Sequence, residues 1–170
     1  MSKEPILETE RLILRPITLD DAAACFSWNS DERVAKYMSY PTLTDISQTI
    51  DWIKSTLTDE KEYNFAFVLK KENKVIGTGS IGPSSKLEGY WGMGYNLHFD
   101  YWHKGYCTEA MKAIIDYVHK ELGVNRICSC HAVDNPRSGK VMEKCGLKFD
   151  HYDDNSATFK AKAYVMEIKE

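Results

Sequence analysis

Apolar residues fall along the chain in two alternating patterns, short dense runs and helix-spaced stripes. Arg11-Leu12-Ile13-Leu14-Arg15 has the density of a strand, which Pro16 is expected to end because proline cannot donate to a sheet ladder. Asp20 and Asp21 read as the cap and acidic first turn of a helix carrying Ala22 to Trp28, and the face is continued to Met38. A second amphipathic helix, Thr44 to Leu57, carries Ile46, Ile50, Trp52, Ile53 and Leu57. Asn64 to Leu69 and Val75 to Ile81 flank the polar turn Lys70–Lys74 and predict a hairpin, which a strand at Trp91 to Phe99 extends. From Glu109 to Leu122 the positions of Ala110, Met111, Ile114, Ile115, Val118 and Leu122 define the clearest helix, closed by Gly123. Arg126 to Val133 is a strand and Pro136 to Lys144 a short helix closed by Gly146. Phe149 and Ala163 to Ile168 mark two last strands.

The predicted order is β-α-α-β-β-β-α-β-α-β-β, an α/β chain in which a mixed sheet is covered by helices without simple alternation. With 170 residues and no linker, repeat or low-complexity tract, residues 1–170 read as a single domain. A net charge of −3 gives no electrostatic footprint for a nucleic-acid backbone, so no nucleic-acid partner is expected. Five cysteines without framework spacing point to a reducing compartment, and no apolar run has the length of a membrane span, so a cytoplasmic location away from membranes is expected.

Two motifs are set aside. Gly77-Thr78-Gly79-Ser80-Ile81-Gly82 fits the dinucleotide pattern letter for letter, but that motif needs a helix directly after its strand, and Pro83-Ser84-Ser85 follows instead. Close backbone packing explains the glycines better. Cys128 and Cys130 share a strand face without a second ligand pair, so no metal site is expected.

Trp102-His103-Lys104-Gly105-Tyr106-Cys107-Thr108 lies between a strand and the clearest helix, where free backbone N–H groups and the helix dipole can bind an anion such as a diphosphate. Gly105 lets the backbone approach closely, Lys104 adds charge and Thr108 is the candidate cap. Its surroundings widen the match. Leu7-Glu8-Thr9-Glu10-Arg11-Leu12-Ile13-Leu14-Arg15, Gly94-Tyr95-Asn96-Leu97, Tyr101 to Ala110, and Asn135-Pro136-Arg137-Ser138 leading to Glu143-Lys144-Cys145-Gly146-Leu147-Lys148-Phe149 together resemble the GNAT superfamily of acetyl-CoA-dependent N-acetyltransferases, in its ribosomal-protein alanine branch.

That resemblance implies a GNAT-like fold in which two parallel strands splay around acetyl-CoA. The pantetheine arm would pair with Leu97, His98 and Phe99, and the pyrophosphate would rest on His103, Lys104, Gly105, Tyr106, Cys107 and Thr108. Asn135 and Ser138 would stand near the thioester and pantetheine. Three departures stand out: Cys107 where the family usually has Ala or Gly, His103 where a glycine with φ > 0 is common, and Gly92 where relatives often carry a glutamate that activates the amine.

The implied reaction moves an acetyl group to a primary amine of a small molecule or a protein N-terminus by direct attack on the thioester. Freeing a lysine-like amine at pH 7 costs about 4.6 kcal/mol, an α-amine only about 1. The developing oxyanion needs a donor, a strand N–H near Leu97 by resemblance, and the departing thiolate needs a proton, for which Ser138 is the first candidate by resemblance. Glu88, Tyr90 and Tyr95 are the candidates for the base. An acetyl-CoA-binding module with lost catalysis is the alternative, motivated by Gly92. Acceptor identity and oligomeric state stay open, a homodimer included.

Overall fold

The computed structural model describes residues 2–153 and 160–169. Eight strands form one sheet: β1 (Leu7–Glu8), β2 (Leu12–Pro16), β3 (Tyr63–Leu69), β4 (Lys74–Pro83), β5 (Trp91–Leu97), β6 (Arg126–Ala132), β7 (Lys148–Asp153) and β8 (Ala161–Glu167). Their spatial order is β1-β2-β3-β4-β5-β6-β8-β7. Every neighbouring pair is antiparallel except β5 and β6. Five helices accompany them: α1 (Ala22–Asn29), α2 (Glu32–Ala35), α3 (Ile46–Thr58), α4 (Tyr106–Leu122) and α5 (Pro136–Lys144).

The period-2 alternation of β3 divides the molecule. Phe65, Phe67 and Leu69 point into the larger core with Leu12, Leu14 and the α4 stripe of Ala110, Met111, Ile114 and Val118. On the opposite face a smaller core gathers Ile17, Cys25, Trp28, Val34 and Ile53 beneath α1 and α3. The Gly77–Gly82 stretch lies inside β4 with no helix after it. A Cβ at Gly79 would stand 2.6 Å from Phe67 Cζ and 2.9 Å from Met111 Sδ, so this glycine serves the close packing of α4 on the sheet.

The structure adjusts several expected boundaries. At β2 the expected end holds, with Pro16 as the strand's last residue opposite Phe65, while the start moves from Arg11 to Leu12. The helix expected to run from Ala22 to Met38 is broken, because Asp31 adopts an extended backbone and its carboxylate accepts the Arg33 N–H at 2.9 Å, starting the separate turn α2. Asp21 does more than begin α1. Its buried carboxylate accepts Arg15 Nη1 and Nη2 at 2.8 and 2.7 Å and the Thr18 N–H at 2.8 Å, tying β2 to the helix. β5 ends at Leu97, since His98 to Tyr101 turns away as a short 3-10 helix. α4 begins three residues before the predicted Glu109. Among the described residues, no helix is long and apolar enough to cross a membrane.

Candidate active site

The parallel pair is short. β5 and β6 are in register only at Trp91↔Ile127 and Gly92↔Cys128, and beyond Gly92 they separate. The His98 N–H donates to Ile76 O at 2.8 Å, which fixes the even-numbered residues of β5 as those bonded to β4. The odd-numbered backbone groups therefore face the opening. Ser129 Oγ donates to Met93 O at 2.8 Å and Trp102 Nε1 donates to Leu97 O at 2.8 Å, which leaves the backbone of Tyr95 and the Leu97 N–H as the open edge. This edge lies on the strand itself and overlaps the expected Leu97–Phe99 stretch only at Leu97.

A cleft of about 1060 Å³ fills the opening. Its rim includes Lys86, Arg137, Lys140 and Lys144, while Glu62 and Asp153 are its only carboxylate-bearing residues among those described. Asp153 pairs with Lys86 at 3.1 Å. A protein of net charge −3 thus presents a cationic cleft, which suits a polyanionic ligand.

At the mouth stands the N-terminus of α4. Gly105 is the cap residue at φ 79, with no side chain capping the helix, so the first-turn N–H groups point outward; the intrahelical ladder starts where Glu109 N donates to Gly105 O at 3.0 Å. Thr108 is therefore the third residue of the helix and not its cap. His103 takes φ 63, the strained left-handed conformation expected of a residue standing in a glycine's place. Cys107 packs its side chain against the core and does not fill the loop, and burial beside Cys145 pushes its thiol up to about 12.

The N-terminal segment holds this loop in place. Glu109 accepts Thr9 Oγ1 at 2.7 Å, the Arg11 N–H at 2.8 Å and Arg11 Nε at 2.6 Å, while Arg11 Nη1 donates to Lys104 O at 2.9 Å and the guanidinium stacks 4.2 Å from the Tyr106 ring. Burial alone would raise the Glu109 carboxyl; the bonds from Thr9 and Arg11 outweigh it and hold the carboxyl below its ordinary value. Sequence reasoning matched this N-terminal segment without finding its job. A Thr-x-Arg one strand away from an anion loop carries no local sign of which carboxylate it will clamp.

Tyr95 and Ser138 meet at the inner end. The Tyr95 hydroxyl lies 2.9 Å from Ser138 O and 2.9 Å from Ser138 Oγ, and burial raises its phenol far above the ordinary value. Tyr95 thus stays protonated and donates a hydrogen bond to Ser138 O, so no phenolate is available there as a base. Asn135 caps α5 through backbone geometry only, leaving its amide facing the cleft. Leu97, His103, Gly105, Tyr106, Cys107 and Thr108 also line the cleft. The remaining candidates do not. Glu88 and Tyr90 lie outside it: Glu88 is on an exposed turn, and Tyr90 donates to Glu167 at 2.8 Å. Lys104 turns its ammonium to Asp100 O at 3.2 Å. His98 accepts the Asp100 N–H, and Phe99 packs 4.9 Å from Trp102 with Arg33 over its ring.

A second cavity of about 370 Å³ opens on the α1–α3 face and shares Glu62, Ser80, Gly94, Tyr95 and Asn96 with the cleft. Met38, Tyr40, Gln48 and Trp52 line it, whereas Trp28 is buried core. Tyr40 OH sits between Asn29 Oδ1 at 3.0 Å and Asn96 Oδ1 at 3.1 Å. Among the described residues, no group of three or more His, Cys, Asp or Glu side chains gathers to hold a metal.

A mixed sheet that splays at one parallel pair, with an uncapped helix N-terminus at the mouth of the cleft, is the architecture of an acyl-CoA-dependent transferase, and solved structures share it. An acetyltransferase of the GNAT family from Bacillus anthracis superposes with a TM-score of 0.85 at 24% identity, covering 96% of this chain and 98% of its own. The microcin C7 self-immunity acetyltransferase MccE, solved with acetyl-CoA and AMP, superposes at 0.79 with 21% identity, covering 94% of each chain. The chain belongs to the GNAT acetyltransferase family: residues 11–148 match the model described as the acetyltransferase (GNAT) domain. An uncharacterized N-acetyltransferase, p20 of Bacillus licheniformis, is 36% identical over 170 residues, covering 95% of this chain and 92% of that protein. The chain is accordingly an N-acetyltransferase.

Proposed function

We propose that the chain transfers the acetyl group of acetyl-CoA to the primary amine of a small molecule or a protein N-terminus, which enters from the second cavity. The observation that carries this reading is the separation of β5 and β6 beyond Gly92↔Cys128, with the Tyr95–Leu97 edge facing a cationic cleft. The residues fit the donor. Three successive N–H groups at the start of α4 suit a pyrophosphate, the strand edge suits the amide groups of a pantetheine arm, and the acetyl-CoA bound by MccE supports the same ligand here. When bound, acetyl-CoA supplies the activated acetyl group.

The chain's own residues then perform three tasks. The N–H groups of β5 on the cleft side polarise the carbonyl that is attacked, worth about 3–4 kcal/mol for a well-placed donor. The Ser138 hydroxyl gives its proton to the departing sulfur, with Tyr95, whose hydroxyl donates to Ser138 O and lies 2.9 Å from Ser138 Oγ, holding the serine in place. The loop held by Arg11 and Glu109 fixes the donor's far end, so that the amine meets the carbonyl in attack geometry. The match of the N-terminal and loop segments supports the ribosomal-protein alanine branch as the nearest functional type. We place the enzyme in the cytoplasm, on its five free thiols.

The test is to incubate the protein with acetyl-CoA and a panel of amines, measuring release of the CoA thiol and the acetylated product by mass spectrometry. Product from at least one amine is expected. Acetyl-CoA binding with no product from any amine would favour a binding module that has lost its chemistry.

A further inference from the structure

Resting on the transferase reading, we propose that Glu62, at the entry to β3, is the catalytic base for the reacting amine, and that the acceptor is a singly charged amine with a carbonyl beside it. Glu62 is the only carboxylate residue, among those described, that lines both the cleft and the second cavity, so it stands where the two meet. It is partly buried, and among the described residues no hydrogen bond or ion pair engages its side chain.

The register explains how a residue two strands away reaches that point. Gly82 is paired with Gly92, and a Cβ at Gly82 would stand 2.9 Å from Glu62 Cα and 3.2 Å from Glu62 Cβ and Cγ. Glu62, the residue just before β3, thus lies beside Gly82 of β4, which is paired in turn with Gly92 of β5. Any side chain at Gly82 would collide with Glu62, and none at Gly92 blocks its approach. Glu62 Cα, Cβ and Cγ thus lie against the bare backbone of Gly82, at the wall shared by the cleft and the second cavity.

The second cavity sets the acceptor class. Its polar lining is otherwise neutral: Asn29, Gln48, Asn64 and Asn96 supply amides, and Glu62 is its sole anion among the described residues. Asn64 is 6% exposed, and its Nδ2 donor has no partner. A buried donor of this kind calls for an acceptor oxygen on the ligand. An α-amino amide or peptide N-terminus offers one ammonium to Glu62 and one carbonyl to Asn64; a polyamine offers several ammonium groups to a single anion.

In the step, the ammonium gives one proton to the Glu62 carboxylate, which later releases it to solvent. The nitrogen lone pair then forms the N–C bond to the acetyl carbon as the C–S bond breaks. The sulfur takes the electron pair and a proton from the Ser138 hydroxyl, which recovers one from the acylated nitrogen.

The test compares wild type, Glu62→Gln and Glu62→Gln/Gly92→Glu with alaninamide, glycinamide, spermidine and kanamycin, alongside acetyl-CoA affinity by calorimetry. A Cβ at Gly92 meets nothing closer than 3.9 Å, so a side chain can start there without a clash. Glu62→Gln is expected to lower kcat/KM about 100-fold or more with acetyl-CoA affinity unchanged, and the double variant to regain about tenfold or more. Undiminished turnover in Glu62→Gln overturns the assignment. So does a loss that Gly92→Glu leaves unrepaired, or one matched by an equal loss of acetyl-CoA affinity. Preference for spermidine or kanamycin overturns the acceptor class alone, and wild type that binds acetyl-CoA but acetylates none of the four overturns both this inference and the transferase reading.

Discussion

Replacing Glu109 with Gln removes the charge at the centre of the clamp while keeping its shape. The carboxylate accepts three hydrogen bonds, from Thr9 Oγ1, the Arg11 N–H and Arg11 Nε, and an amide keeps one acceptor while setting its NH2 against a donor. Bonds to a charged group contribute about 1.5–3 kcal/mol each when enclosed. Arg11 is 39% exposed, so solvent screening reduces the whole clamp to about 1–2 kcal/mol. For a chain of this size that is a fall in Tm of about 3–8 °C. Binding should suffer too, because Arg11 Nη1 also holds Lys104 O in the anion loop; acetyl-CoA affinity is expected to fall about tenfold, the equivalent of 1.4 kcal/mol.

The pH dependence has a definite sign. The Glu109 carboxyl is depressed in the folded protein, so its contribution is complete above the unfolded value of about 4.3 and is lost as pH falls through the lower folded value. Calorimetric melting of both proteins should therefore show the full Tm gap at pH 7 and a shrinking gap below about pH 4. Equal Tm values at pH 7, or a gap unchanged down to pH 3, would refute the reasoning.

Three further outcomes follow from the same geometry. Gly79→Ala forces a methyl group against Phe67 and Met111 and should destabilise by about 1–3 kcal/mol in denaturant melts. At His103 the left-handed backbone should make a β-branched residue the poor choice, so His103→Val is expected to be less stable than His103→Gly by at least about 1 kcal/mol. Ser138→Ala should lower kcat with little change in acetyl-CoA affinity, and the loss should shrink with acetyl donors whose thiols are more acidic, read in the same thiol-release assay.

What the sequence made legible was whatever is written locally. The α4 stripe, the Lys70–Lys74 turn with Asn73 at φ 47, and the left-handed glycine that ends α4 at position 123 each follow from a few adjacent residues, and the structure has all three, whereas the cap at the start of α4 is Gly105 and not the expected Thr108. The break between α1 and α2 was harder, because Ser30-Asp31 is an ordinary polar pair whose capping role depends on the chain's turning there. The site splits the same way. The anion loop and Ser138 were singled out through motif resemblance, while the Tyr95–Ser138 contact, the Arg11–Glu109 clamp and the closeness of Glu62 to Gly82 and Gly92 arise only when distant segments come together. Lys104 shows the limit of reading charge from composition, since its ammonium is turned away by the carbonyl of Asp100.

The most direct measurement is isothermal titration of acetyl-CoA into wild type and into Gly105→Glu. The left-handed backbone tolerates the substitution at about 1–2 kcal/mol, and the new carboxylate stands at the anion site. A unit charge about 5 Å from each phosphate charge costs about 3 kcal/mol at an effective dielectric of 20. The account predicts binding by wild type and at least about 100-fold weaker binding by the folded variant. Equal affinity in the two proteins would contradict the placement of the cofactor at the α4 N-terminus, and no binding by wild type would contradict the transferase reading itself.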